Sequence, residues 1–178
     1  IDSATLFNKA MEVIEAHELF ELSPSQIEVV VHPQSIIHSM VGFTDGAIMA
    51  HLGPPDMRAP IGFALNYPER GTLPVERLDF GSLGALSFRH PDHDRFPALG
   101  LAQKVMERGA LAGAQFNAAK EAALDRFLDR EVGFLDMSHI VAHVLNQMDP
   151  GPVAYSLDAV KEADAQARAL ANEWSGNV

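Results

Sequence analysis

Between Ser3 and Phe20 the apolar residues Leu6, Phe7, Ala10, Met11, Val13 and Ile14 recur at about 100° per residue, the period of a helix buried along one side. The spacing predicts a helix over 3–20, with Ser3 or Thr5 placed to cap its first turn. The period then shortens. Ile27 to Val31 is a β-branched run that predicts a strand. Ile36 to Phe43 and Ala47 to Leu52 flank Thr44-Asp45-Gly46, a turn signal between two strand-like runs. A small antiparallel sheet is expected there. Gly53-Pro54-Pro55-Asp56 ends the last strand, and Met57 to Leu65 predicts a short helix closed by Pro68.

From Tyr67 to Asp94 the chain carries Pro68, Gly71, Pro74, Gly81, Gly84 and Pro91 with no sustained period, the pattern of a long surface connector. Past Pro97 the helical period returns in four stretches, 98–108, 112–128, 137–148 and 157–174. They are separated by Gly109, Gly133 and Pro150-Gly151-Pro152. The expected class is α+β: a small, mostly antiparallel sheet with helices over 1–66, a connector over 67–94, and a four-helix bundle-like domain over 95–178. No internal repeat or low-complexity tract interrupts this order.

Composition narrows the function classes. With 13 basic and 24 acidic side chains the formal charge is −11, so the mean surface field repels nucleic acid and anionic lipid, and any anionic ligand requires a local site. No apolar run approaches the roughly 18 residues that span a bilayer, and the N-terminus lacks the layout of a secretion signal. A cytoplasmic protein without nucleic-acid or membrane partners is expected. The absence of cysteine excludes disulfides, thiolate metal sites and a cysteine nucleophile. The chain starts at Ile1, already on the approach to a helix, which reads as a cut rather than a natural start.

The first helix holds the chemistry. Asn8, Lys9 and Glu12 fall within about 100° of one another on the face away from the apolar stripe, with Ser3 and Thr5 at its N-terminal end. An amide, an ammonium, a carboxylate and hydroxyls on one face suit a phosphorylated ligand held beside a divalent metal. The helix N-terminus and Ser3 would donate to phosphate oxygens, Lys9 would neutralise charge, and Glu12 would give a hard oxygen ligand. The same residues also describe an ordinary amphipathic helix with a capping serine and a Lys-Glu pair on its wet face. Spacing alone leaves both readings open.

The segment Ser3-Ala4-Thr5-Leu6-Phe7-Asn8-Lys9-Ala10-Met11-Glu12 resembles the SATxxNKxxE motif of the 1-deoxy-D-xylulose 5-phosphate reductoisomerase family. The resemblance continues in family order through His32-Pro33-Gln34-Ser35-Ile36-Ile37-His38-Ser39-Met40 and Leu52-Gly53-Pro54-Pro55-Asp56-Met57-Arg58-Ala59-Pro60-Ile61. It extends to Leu78-Asp79-Phe80 and Pro91-Asp92-His93-Asp94-Arg95-Phe96-Pro97. Several ordered blocks are far more specific than any one of them.

The resemblance implies an NADPH-dependent enzyme of the non-mevalonate isoprenoid route. Such an enzyme rearranges 1-deoxy-D-xylulose 5-phosphate (DXP), reduces the resulting aldehyde to 2-C-methyl-D-erythritol 4-phosphate, and uses Mg²⁺ or Mn²⁺ to chelate neighbouring substrate oxygens. It implies that Ser3, Asn8 and Lys9 bind the phosphate end of the substrate, and that Glu12 touches substrate and is one metal ligand. Lys9 and Glu12 are thereby the catalytic candidates. It also implies that the enzyme is a homodimer. His38 is a candidate to reach the substrate or close the pocket, against a plain hydrogen-bonded histidine. Met57 resembles a position packed near the nicotinamide, against a core methionine.

The resemblance also shows what these residues lack. Gly109-Ala110-Leu111-Ala112-Gly113 has the wrong spacing for a dinucleotide loop, so NADPH is not expected to bind this chain. The other metal carboxylates of the family precede the SAT motif, so these 178 residues alone are expected to be inactive. A non-catalytic dimerisation or helical scaffold, or a relic that binds a phosphorylated ligand without turnover, is the alternative. Asn117-Ala118-Ala119-Lys120-Glu121 departs from a family block that usually has asparagine at Lys120. His139 and His143, at i and i+4, are expected to be a solvated pair, and His90 to Asp94 a structural loop.

Overall fold

A computed structural model of the chain describes residues 1–152 and 154–176. Its elements are α1 (Phe7–Phe20), a 3-10 turn (Pro24–Gln26), β1 (Ile37–Gly42), β2 (Ile48–Leu52), α2 (Arg58–Asn66), α3 (Ala98–Arg108), α4 (Ala112–Leu128), α5 (Asp136–Gln147) and α6 (Leu157–Glu173). Helices with a small antiparallel pair make the α+β class that the patterning predicts. Packing sorts the chain into two compact units. One holds Ile1–Glu28 and the described residues from Asp92 onward, the other Val29–Pro91.

In the helical unit α4 lies alongside both α5 and α6, and α1 rests on α3 and reaches α4. The apolar stripe of α1 buries Phe7, Ala10 and Ile14, and the Phe7 ring sits 5.7 Å from that of Phe116 on α4. On α6 the stripe is Ala163, Ala167 and Ala171, all buried, a row of small side chains that lets a neighbouring helix approach closely. Ser156 opens α6 by accepting a hydrogen bond from the Ala159 amide at 3.2 Å. Two arginines close helix ends. Arg108 donates to the carbonyls of Leu145 and Met148 at the end of α5, and Arg126 to those of Ala171 and Trp174 at the end of α6. The buried Gln115 donates to the Asp149 carbonyl at 2.7 Å and pins the loop after α5.

The division differs from the expected boundary at residue 66. Three of the apolar side chains of α1 are spent on the helices that follow residue 97, so α1 packs with them and separates from the sheet that follows it in sequence.

In the unit Val29–Pro91, β1 and β2 pair antiparallel with Met40 opposite Ala50 and Val41 opposite Met49, and the register shifts between Ile37 and Ser39. The turn is the predicted one. Gly46 has φ +89°, a conformation that glycine adopts freely, and the Asp45 carboxylate accepts from the Ala47 amide at 3.0 Å. The expected strand over Ile27 to Val31 does not form. Its β-branched residues favour extended backbone, but only Val31 finds a ladder partner, an isolated antiparallel bridge to Arg89. The connector stretch before Pro91 returns beside it: His32 and Gln34 hydrogen-bond Ser87. In α2, Gly62 is packed so closely by Leu73 that a Cβ there would clash with that side chain.

Candidate functional site

The N-terminal end of α1 departs from a simple serine cap. The helix begins at Phe7, preceded by Leu6 in the left-handed region at φ 59°, and no side chain caps it from that position. Leu6 is held there by a knot of hydrogen bonds. The buried Thr5 hydroxyl lies 3.1 Å from the Asp2 carbonyl and 3.2 Å from that of Ile1, and its oxygen accepts from the Phe7 amide at 3.4 Å. The Asp2 carbonyl also accepts from the Asn8 amide at 3.1 Å. A leucine at positive φ costs on the order of 1 kcal/mol, a strain that persists only where its surroundings over-determine it. Two amides at the helix start are therefore already engaged. An anion here would be held chiefly by side chains rather than by the free helix N-terminus that the sequence suggests.

Those side chains converge. Asn8 Nδ2 donates to Glu12 Oε1 at 2.7 Å, and the Lys9 ammonium pairs with Glu12 Oε2, so each carboxylate oxygen holds one donor. Lys9 and Glu12 remain 41% and 44% exposed, so the pair is solvent-screened and free to exchange partners. Ser3 lies exposed in the turn just ahead, its hydroxyl without a hydrogen-bond partner among the described residues.

The other two candidates belong to the second unit. His38 sits at the register shift of β1, exposed, with Nε2 3.1 Å from the Gly53 carbonyl and its ring 5.8 Å from that of His51. Met57 stands at the N-terminus of α2, 69% exposed, and so is not a core methionine of its unit. Beside it, Asp56 accepts from the Arg58 amide and guanidinium. These bonds, the guanidinium first, hold the Asp56 carboxyl down at about 2.

The donor set for a metal is incomplete. Mg²⁺ takes about six oxygen ligands, whereas the described residues contain no group of three or more His, Asp or Glu side chains placed to hold an ion. Glu12 is at most one ligand of such a shell. His139 pairs loosely with Asp136 at 3.8 Å, and Asp92 spends its carboxylate on the Arg95 amide. Gly109 to Gly113 runs from the end of α3 into the first turn of α4, with a helix and not a strand immediately before it.

A family model described as the DXP reductoisomerase C-terminal domain matches residues 52–170. The chain belongs to the DXP reductoisomerase family. The 1-deoxy-D-xylulose 5-phosphate reductoisomerase of Sinorhizobium medicae is 58% identical over 171 residues, which cover 96% of this chain and 44% of that relative. The reductoisomerase of Zymomonas mobilis, solved in complex with NADPH, superposes with a TM-score of 0.89 at 46% identity, over 96% of this chain and 45% of that one. A DOX-P reductoisomerase solved with NADPH, fosmidomycin and magnesium gives 0.89 at 40% identity over 96% and 44%. The chain thus spans less than half the length of these reductoisomerases.

One contact beside the site was not foreseen. Lys120, noted in the sequence only as a departure from the family block, reaches from α4 to Asp2, immediately before Ser3. A separation of 118 residues leaves no local pattern from which to find it.

Proposed function

We propose that the chain forms the phosphate-gripping wall of a DXP reductoisomerase active site. Ser3, Asn8 and Lys9 hold the substrate phosphate, and Glu12 is one ligand to Mg²⁺ or Mn²⁺. The complete enzyme converts DXP to 2-C-methyl-D-erythritol 4-phosphate with NADPH bound by sequence outside these residues. A divalent ion, when bound, polarises the chelated hydroxyketone; this chain's side chains orient the phosphate end and neutralise its charge. The carrying observation is the Asn8–Glu12–Lys9 network at the end of α1, next to the exposed Ser3. Within it Lys9 is paired to the carboxylate that a metal would claim. Were Glu12 to hold a divalent ion, Lys9 would be released from the carboxylate and would be available to the phosphate.

His38 and Met57 are read as pocket residues toward substrate and nicotinamide. Their exposure supports this: the Met57 side chain is open, and His38 is exposed while its Nε2 is spent on the Gly53 carbonyl. Self-association into a cytoplasmic homodimer is part of the reading. Its support is the apolar surface of the β1–β2 pair, where Val41, Ile48 and Met49 are exposed.

The test uses the full-length enzyme that contains these residues. Lys9→Met should raise KM for DXP about 10- to 100-fold, the value of a charged hydrogen bond of about 1.5–3 kcal/mol. It should weaken competitive inhibition by inorganic phosphate by a similar factor. A variant that keeps both parental values would refute the phosphate assignment.

A further inference from the structure

We propose that Lys120 is a positioning residue for the phosphate grip, acting through Asp2. The inference rests on the reading of Ser3, Asn8 and Lys9 given above and adds a residue to it. Lys120 follows the buried Ala118 and Ala119 on α4, and its side chain is only 12% exposed. Its Nζ lies 3.1 Å from Asp2 Oδ2, on a side chain 32% exposed. The pair is thus shielded more than a surface ion pair, and its stem is held by the bundle.

Asp2 is fixed at both its side chain and its backbone. Its carboxylate is tied to α4, and its backbone carbonyl accepts from the Asn8 amide and the Thr5 hydroxyl, each at 3.1 Å. The strained turn through Leu6 is thereby anchored to the rigid bundle at the residue that precedes Ser3. A grip built from one turn-borne hydroxyl and two helix-borne side chains depends on their relative placement to within about 0.5 Å.

The second effect is electrostatic. The Asp2 carboxylate stands one residue from a hydroxyl proposed to meet a phosphate dianion, and Lys120 offsets its charge. Without the ammonium, the turn loosens and the Asp2 charge, one residue from Ser3, is left uncompensated. Both changes weaken binding of the phosphate more than the chemical step, which takes place at carbons away from it.

In the full-length enzyme, Lys120→Met, which loosens the turn and leaves the Asp2 charge uncompensated, is expected to raise KM for DXP about 5- to 20-fold, and Asp2→Ala, which loosens the turn but removes that charge, about 3- to 5-fold. Each should weaken competitive inhibition by inorganic phosphate by a like factor, with kcat within about two-fold of the parent. Lys120→Arg should recover most of the loss. Because both residues act through one contact, the double variant should be no worse than the poorer single one. Asp2→Ala leaves the side chains of α4 in place, so it carries the test even if Lys120→Met fails to fold. Parental KM and phosphate inhibition in Asp2→Ala, or losses that multiply in the double variant, overturn the proposal. If Lys9→Met raises KM while the Asp2 and Lys120 variants do not, only the positioning role fails. If Lys9→Met is also silent, the phosphate reading fails with it.

Discussion

Asp56 receives both the side-chain and the backbone hydrogen bonds of Arg58, and its carboxyl titrates at about 2 instead of its ordinary 3.8. Burial opposes the shift but loses to the hydrogen bonds, since the group stays open to water. A carboxyl depressed in the folded chain stabilises the fold above its ordinary value. That contribution fades as the pH falls from about 3.8 through about 2. Carboxyl NMR should therefore give Asp56 a midpoint near 2, and Arg58→Ala should return it toward 3.8; an ordinary midpoint in the parent would remove the pair as the cause. Glu12 is a useful contrast, for its partners Asn8 and Lys9 lie four and three residues away on one helix face. That convergence is legible in the sequence because 3.6 residues per turn brings such positions together. The left-handed Leu6 is not legible, since local preference argues against it and only the hydrogen bonds of Thr5 and Asp2 impose it.

Among the elements, the periodic helices were the most readable, because burial on one side leaves a trace in every turn. Ala98–Arg108 and Ala112–Leu128 fall where the apolar period places them. The run Ile27 to Val31 has strong strand composition yet forms only a bridge, because pairing requires a partner that composition does not specify. In α6 the alanines at 163, 165, 167, 169 and 171 look alike as letters, but the helical period separates them. Ala167 is buried and Ala165 exposed. Ala167→Leu should therefore overpack the interface and destabilise the helical unit by about 1–3 kcal/mol. Ala165→Leu should stay within about 0.5 kcal/mol of the parent. Urea denaturation followed by far-UV circular dichroism measures both, and equal effects would mean that α6 does not present this face.

At the scale of the whole chain, the two units differ in what they bury. The helical unit contains large, fully buried side chains such as Phe7, Phe116 and Ile140, whereas in Val29–Pro91 Gly62 alone among the described residues is buried. Phe43, Ile48, Met49, Met57, Ile61 and Leu65 are all exposed there, so this unit gains little hydrophobic stabilisation from its own residues. The same incompleteness holds for the chemistry. A chain carrying a net charge of −11 must bind a phosphate against its own mean field, and Lys9 is the cation proposed to do so. Glu12 is proposed to supply one metal oxygen, and no described loop matches a dinucleotide fingerprint. Binding energy gathered at a phosphate accelerates a reaction only when it is coupled to groups that act on the reacting carbons. The polypeptide of these 178 residues should therefore fold its helical unit, visible as helical circular dichroism, while giving no NADPH oxidation with DXP. A rate that persists after removal of every trace of full-length enzyme would show that one wall of the site suffices. The Lys9–Glu12 pair would then have to do far more than grip and ligate.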